Sequence, residues 1–183
     1  MSTREEIHLR RVELRCFRRS DGLYDMEASL SDCRPFESVR FGTGEVLQPD
    51  QPIHDLGVRL TFDERMVVHD IQSFTLSAPY PACPDGGRAL QTLIGLRMTS
   101  GWIREVRERL SGARSCTHLM ELMPAIATAA FQSVGGLRAD LTGSVDDSGR
   151  PSRIDSCYAY AADGDLVRQR WPSFHIAASR QSE

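Results

Sequence analysis

The sequence predicts an α+β fold, a mostly antiparallel sheet with three helices packed on one face. Three observations predict it. Stretches of alternating apolar and polar residues recur through residues 7–76. The apolar spacing then lengthens to three or four residues over 84–134. Between the two regimes stands Ala78-Pro79-Tyr80-Pro81, whose prolines suit neither a strand interior nor a helix interior.

Ile7, Leu9, Val12, Leu14 and Cys16 sit at near-alternate positions, with a register break at Arg10-Arg11, and predict the first strand. Ser20-Asp21-Gly22 is a turn signal, and Tyr24, Met26, Ala28 and Leu30 then alternate strictly, which makes a hairpin. Residues 34–52 hold three prolines and Gly42-Thr43-Gly44 and predict a loop. Val58, Leu60 and Phe62 mark a third strand, Asp63-Glu64-Arg65 a turn, and Val67, Val68, Ile71, Phe74 and Leu76 a fourth. Four such strands form one antiparallel meander.

Pro84 and Asp85 suit a first helical turn, Leu90, Leu93 and Ile94 give that helix an apolar side, and Gly95 ends it. Trp102, Val106 and Leu110 mark a second helix with Gly112 as its stop. Leu119, Leu122, Met123, Ile126, Ala130, Phe131 and Val134 predict the longest helix. Pro124 inside that pattern either kinks the helix or lies in its first turn. Residues 135–153 are polar and rich in Gly, Ser and Asp, a linker. Residues 154–175, with Asp163-Gly164-Asp165 in their middle, read as a closing hairpin. The expectation is a single domain over 1–183 with its core at 7–134.

At 40% hydrophobic and 26% charged residues, the chain has the balance of a protein with a real core. A net charge of −3 gives no electrostatic case for nucleic acid as a partner. No run of roughly 18 apolar residues is present to span a membrane. The first eleven residues are charged and lack an apolar signal core, so a cytoplasmic location is expected. All 22 basic residues are arginine, and the absence of lysine excludes Schiff-base chemistry and a phosphate-loop lysine. No G-x-S-x-G, G-x-G-x-x-G or H-E-x-x-H motif occurs. The five cysteines are odd in number and form no C-x-x-C pair, which favours reduced thiols over a disulfide framework.

Three potential ligand groups fall at the ends of predicted elements. His54-Asp55 precedes the third strand, Cys83 stands where the first helix begins, and Cys116-Thr117-His118 opens the long helix. Backbone N–H groups at a helix start favour the thiolate, the form of cysteine that binds metal. Thiolate, imidazole and carboxylate together suit zinc, or iron as the alternative. The predicted metal ligands are therefore Asp55, Cys83, Cys116 and His118. The candidate catalytic residues are His54, Glu121 and Tyr80: His54 and Glu121 stand beside the ligands as acid–base or outer partners, and Tyr80, between two prolines, lines the pocket or packs the turn.

Plainer readings compete. Cys16 and Cys33 fall in strand patterns and read as small core residues; Cys83 and Cys116 can equally be buried thiols. His69 reads as a sheet-surface residue, and His8 and His175 carry no assigned role. Three function classes stay open. One is a metal-binding protein with a closed set of ligands, and another a metal-dependent hydrolase or lyase acting on a small metabolite. The last is a structural or interaction domain without metal, and no particular small-molecule or protein partner is indicated.

Arg19-Ser20-Asp21-Gly22-Leu23-Tyr24-Asp25, Pro52-Ile53-His54-Asp55, Ala78-Pro79-Tyr80-Pro81-Ala82-Cys83-Pro84, Cys116-Thr117-His118-Leu119 and Trp171-Pro172 together resemble a bacterial domain-of-unknown-function family, number 2889. That resemblance spans nearly the whole chain and implies no activity. Members of the family often carry Asp-Thr-Cys-His near the C-terminus, where this chain has Asp155-Ser156-Cys157-Tyr158. More distantly, residues 40–134 resemble the iron–sulfur scaffold proteins of the IscU/NifU type. Gly42-Thr43-Gly44, Ile53-His54-Asp55, Cys83 and Cys116-Thr117-His118 follow one another as that family's glycine-rich, Cys-Gly-Asp, Cys and His-Cys segments do. The resemblance implies a scaffold-like fold with a metal site. His54 replaces a cysteine of that pattern, and Leu110-Ser111-Gly112-Ala113-Arg114 replaces the segment that chaperones read.

Overall fold

A ten-residue stretch of near alternation and a ten-residue stretch that alternates strictly as far as Leu30, joined by a tight turn, make the first hairpin. In this computed structural model, which describes residues 2–137, 145–146 and 148–177, β1 (Leu9–Arg18) pairs antiparallel with β2 (Tyr24–Cys33). The register runs unbroken from Leu9 opposite Cys33 to Arg18 opposite Tyr24, so the expected break at Arg10-Arg11 is absent. Strand pairing with β2 sets the alternation there, and Arg10 accordingly takes a position on the same face as Val12 and Leu14. Gly22 supplies the positive φ of 87° that the turn demands.

β2 pairs next with β5 (His54–Phe62), and β5 with β6 (Val68–Ser77), giving one four-stranded antiparallel sheet in the order β1-β2-β5-β6. The excursion between β2 and β5 is a loop apart from two-residue strands, β3 (Ser38–Val39) and β4 (Val46–Leu47), which pair with each other. Arg40 anchors it. Its guanidinium donates to the carbonyls of Ala78 (2.8 Å) and Ile53 (3.3 Å) and to Ser77 Oγ (3.1 Å), tying the loop to the entry of β5 and the exit of β6.

One face of the sheet is apolar. Met26, Ala28 and Leu30 of β2, with Leu56, Val58, Leu60 and Phe62 of β5, are all essentially inaccessible. Onto them pack Leu90 and Leu93 from a 3-10 helix (Cys83–Leu93), Trp102, Val106 and Leu110 from α1 (Trp102–Leu110), and Leu119, Leu122, Met123, Ile126 and Ala130 from α2 (Thr117–Leu137). The architecture is thus the predicted antiparallel sheet with helical elements against one face. The first of the three is 3-10 rather than α. Gly86 and Gly87 account for its close approach: a Cβ on Gly87 would lie 1.9 Å from Ser73 Oγ, and one on Gly86 would lie 2.8 Å from the Cys116 amide nitrogen. Pro124 sits inside α2. Trp102 Nε1 donates to the Met123 carbonyl at 3.0 Å in the same region, which locks α1 against α2.

Contacts divide the chain into two compact units, Met1–Val134 and Gly135–Glu183. The second has its own small core of Ile154, Ala162 and Val167, with Trp171 and Phe174 packed against it. The closing hairpin expected over 154–175 is not formed. Those residues make a 3-10 turn (Tyr158–Tyr160), the short helix α3 (Asp165–Arg170) and another 3-10 turn (Pro172–Phe174). Gly164 precedes the helix rather than turning a hairpin. Asp165 in the first turn and Arg168 and Arg170 in the last suit the helix dipole. Part of the expected 135–153 linker lies outside the described residues. Among the described residues no helix is long and apolar enough to cross a membrane.

Candidate metal centre

The alternation that buries β2 does not stop at Leu30. Carried one step further it places Asp32 on the apolar face at the end of the sheet, where its side chain is only 4% exposed. The register sets Arg10 of β1 and His54 of β5 on either side of it. A buried carboxylate is tolerated only when charged or hydrogen-bonded partners replace its water, and Asp32 is surrounded by them. Arg10 donates from Nε to Oδ1 at 2.7 Å and from Nη2 to Oδ2 at 2.9 Å. His8 Nε2 lies 3.2 Å from Oδ1, and His54 Nδ1 lies 3.1 Å from Oδ2.

α2 closes the site from above. Its first turn is held down at Gly86, whose carbonyl accepts from Ser115 Oγ at 2.9 Å and from the Cys116 amide at 3.3 Å. This seats His118 over the strand ends. The His118 ring lies 4.0 Å from that of His54, centroid to centroid, and its Nε2 is 3.9 Å from Asp32 Oδ2. The other ring nitrogen, Nδ1, is 3.9 Å from Cys116 Sγ.

Asp32, His54 and His118 consequently present three ligand atoms within 4.8 Å of one another, and no other such group of three occurs among the described residues. Bonds of about 2.0–2.2 Å to a common ion place tetrahedral ligand atoms about 3.3 Å apart. The 3.1 Å and 3.9 Å separations at Asp32 Oδ2 bracket that value, and the two imidazole nitrogens lie within 4.8 Å of one another. The protonation states also fit. Burial and then the neighbouring His118 push the His54 pKa below its ordinary value, overriding the attraction of Asp32 and favouring the neutral imidazole that ligates metal. Burial works to raise the Asp32 carboxyl. Hydrogen bonding and charge from Arg10, with the charges of His54 and His8, more than offset it and hold Asp32 below the usual carboxylate range. Arg10 is itself answered by Glu121, whose carboxylate accepts from Nη1 at 2.9 Å.

A cavity of 650 Å³ opens beside the histidine pair. His54, His118, Cys83, Cys116, Tyr80 and Leu56 all line it.

The eight positions that matter thus divide into those the fold brings together and those it does not. His54 and His118 meet directly. Cys116 touches His118, but its sulfur is outside the three-atom group; Cys83 likewise reaches the cavity without joining that group. Asp55 is the strand neighbour of His54, opposite Ser31 in the pairing with β2, and so faces the other side of the sheet. Glu121 meets Arg10 rather than the histidines. Tyr80 is a cavity wall and 53% exposed. Asp32 is the residue that sequence reading missed. The signal was present in the even-numbered series Tyr24, Met26, Ala28, Leu30, Asp32, which puts an acid in line with a buried apolar face.

A family described as a protein of unknown function (DUF2889) matches residues 8–132, more than half of the chain, and the chain belongs to that family. No curated protein and no solved structure matches it.

Proposed function

We propose that this member of the DUF2889 family is a metal-binding protein whose ion, zinc or ferrous iron, is held by Asp32, His54 and His118. The observation that carries the reading is the convergence of one buried carboxylate and two imidazoles within 4.8 Å, the two imidazoles also lining a cavity. Two histidines and a carboxylate suit either ion, and three protein ligands leave coordination positions free for water or a small molecule. Glu121, through Arg10, offsets the positive charge that the ion would otherwise meet behind Asp32. Elemental analysis of protein purified without chelator tests the reading. Zinc or iron is expected at near-stoichiometric content in the wild type and at a small fraction of it in His118→Ala; equal content in both proteins rejects the site.

The cavity favours a second, narrower reading, a metal-dependent hydrolase or lyase acting on a small metabolite. Its 650 Å³ is within the range of small-molecule sites. An ion with an open position there would polarise a carbonyl or activate a bound water. Addition of azide to cobalt-loaded protein changes the visible spectrum if such a position exists, and a spectrum indifferent to azide counts against it.

A further inference from the structure

The sulfur next to the site has a role distinct from ligation. We propose that Cys116 is a positioning residue for His118, accepting the Nδ1–H so that the Nε2 lone pair is turned toward Asp32. The inference rests on the metal-binding reading above and assigns a part of it that the three converging ligands leave open.

The geometry comes from the start of α2. Cys116 immediately precedes the helix, and its carbonyl accepts the first helical bond, from the Met120 amide at 3.0 Å. His118 follows two residues later, and its ring lies between two groups of opposite character. Nδ1 faces Cys116 Sγ at 3.9 Å, within hydrogen-bond reach for sulfur, and Nε2 faces Asp32 Oδ2 at 3.9 Å. The two nitrogens lie on different edges of the imidazole. An ion bonded to Nε2 beside Asp32 is therefore on the far side of the ring from the contact that Cys116 makes. A zinc–sulfur bond of about 2.3 Å is incompatible with that placement unless the ring turns over. Cys116 Sγ accordingly stands outside the group formed by Asp32, His54 and His118.

An imidazole that ligates through one nitrogen needs a fixed tautomer, set by an acceptor on the other nitrogen. Cys116 Sγ is the group that faces Nδ1, at 3.9 Å, and so takes the acceptor's part when Nδ1 carries the proton. The cysteine is also held independently of any ion. Its amide donates to the Gly86 carbonyl at 3.3 Å, and the absence of a side chain at Gly86 permits the approach, since a Cβ there would lie 3.0 Å from Cys116 Cβ. The chain thus fixes Cys116 first, Cys116 fixes His118, and His118 presents Nε2.

Cobalt(II) titration of the full chain, as wild type, Cys116→Ala, Cys116→Ser and His118→Ala, tests the assignment. The wild type is expected to bind one equivalent without a sulfur-to-cobalt charge-transfer band. Cys116→Ala is expected to bind about 10- to 100-fold more weakly, the usual loss on removing such an outer partner. Cys116→Ser, whose hydroxyl still accepts, recovers most of the affinity. Unchanged thermal unfolding of the metal-free variants shows that the effect is on the ligand and not on the fold. A charge-transfer band in the wild type that disappears in Cys116→Ala makes Cys116 a ligand and overturns the inference while the metal reading stands. Wild-type affinity in Cys116→Ala overturns it as well. Failure of the wild type to bind cobalt more tightly than His118→Ala removes the metal reading and the inference with it.

Discussion

Asp32 shows how much a single residue can organise. Its two oxygens receive Arg10 twice, His8 and His54, and His118 stands within 4 Å of one of them. Removing a partner from a fully buried ion pair costs about 3–5 kcal/mol. Arg10 is 37% exposed and can rehydrate, so Asp32→Ala is expected to lower stability by less, about 2–4 kcal/mol in urea unfolding of the metal-free protein. The pH dependence has a definite sign. Because the folded carboxyl titrates below the unfolded one, Asp32 contributes fully above the unfolded value, about 3.9, and its contribution is lost as pH falls through the lower folded value. Acid unfolding of Asp32→Ala should therefore show a shallower fall in stability across that window; a slope equal to the wild type's refutes the role. His54 and His118 could be singled out from the sequence because each opens a predicted element. Asp32 is harder to single out: it continues the even-numbered series, but Leu30 is the last apolar residue of the alternation and the strand continues three residues beyond it. An acid at a strand end looks like turn chemistry until the register of the neighbouring strands is known.

At the scale of elements, period decides what can be read. Three alternating patterns and one β-rich stretch predicted the four strands of the main sheet, and the spacing of Trp102, Val106 and Leu110 marked α1. The segment after Cys83 carries apolar residues at Leu90 and Leu93, a spacing of three that fits α and 3-10 geometry alike. What selects the tighter form lies elsewhere in the chain. The segment must pass between Ser73 of β6 and the start of α2, and Gly86-Gly87 is where it does so. Gly87→Ala sets a methyl group 1.9 Å from Ser73 Oγ and 2.9 Å from its Cβ, contacts that require the segment or the strand to shift. Overpacking of this kind costs about 1–3 kcal/mol. The substitution is expected to lower the unfolding midpoint accordingly, and Ser73→Gly in the same chain to be less harmful than the two single effects summed. Strict additivity would mean that the two positions do not press on one another. The same contact bears on the site, because the carbonyl of Gly86 seats Ser115 and Cys116 and so the first turn that carries His118.

At the scale of the whole molecule, the division after Val134 separates two kinds of legibility. The residues before it form a sheet and helices whose long, regular patterns survive inspection of one sequence. The residues after it do not, because a pair such as Leu166-Val167 between polar neighbours has no period, and a hairpin and a short helix explain it equally well. Among the described residues their hydrophobic core is correspondingly small, Ile154, Ala162 and Val167, against a sheet-and-helix core that runs from Tyr24 to Val134. The family match covers 8–132 and so falls within the first unit, as do Asp32, His54, His118, Arg10, Cys116 and Glu121. Among the described residues, the groups proposed to hold the ion or orient a ligand thus come from the sheet, the 3-10 segment and the start of α2. A chain ending after Leu137 is expected to keep its cooperative unfolding and the metal content of the full-length protein, measured by calorimetry and elemental analysis. Loss of the ion from a shortened chain that still unfolds cooperatively would show that residues beyond 137 complete the site. Retention would confine the chemistry to the unit in which the carboxylate and both imidazoles are fixed by strand register and helix entry.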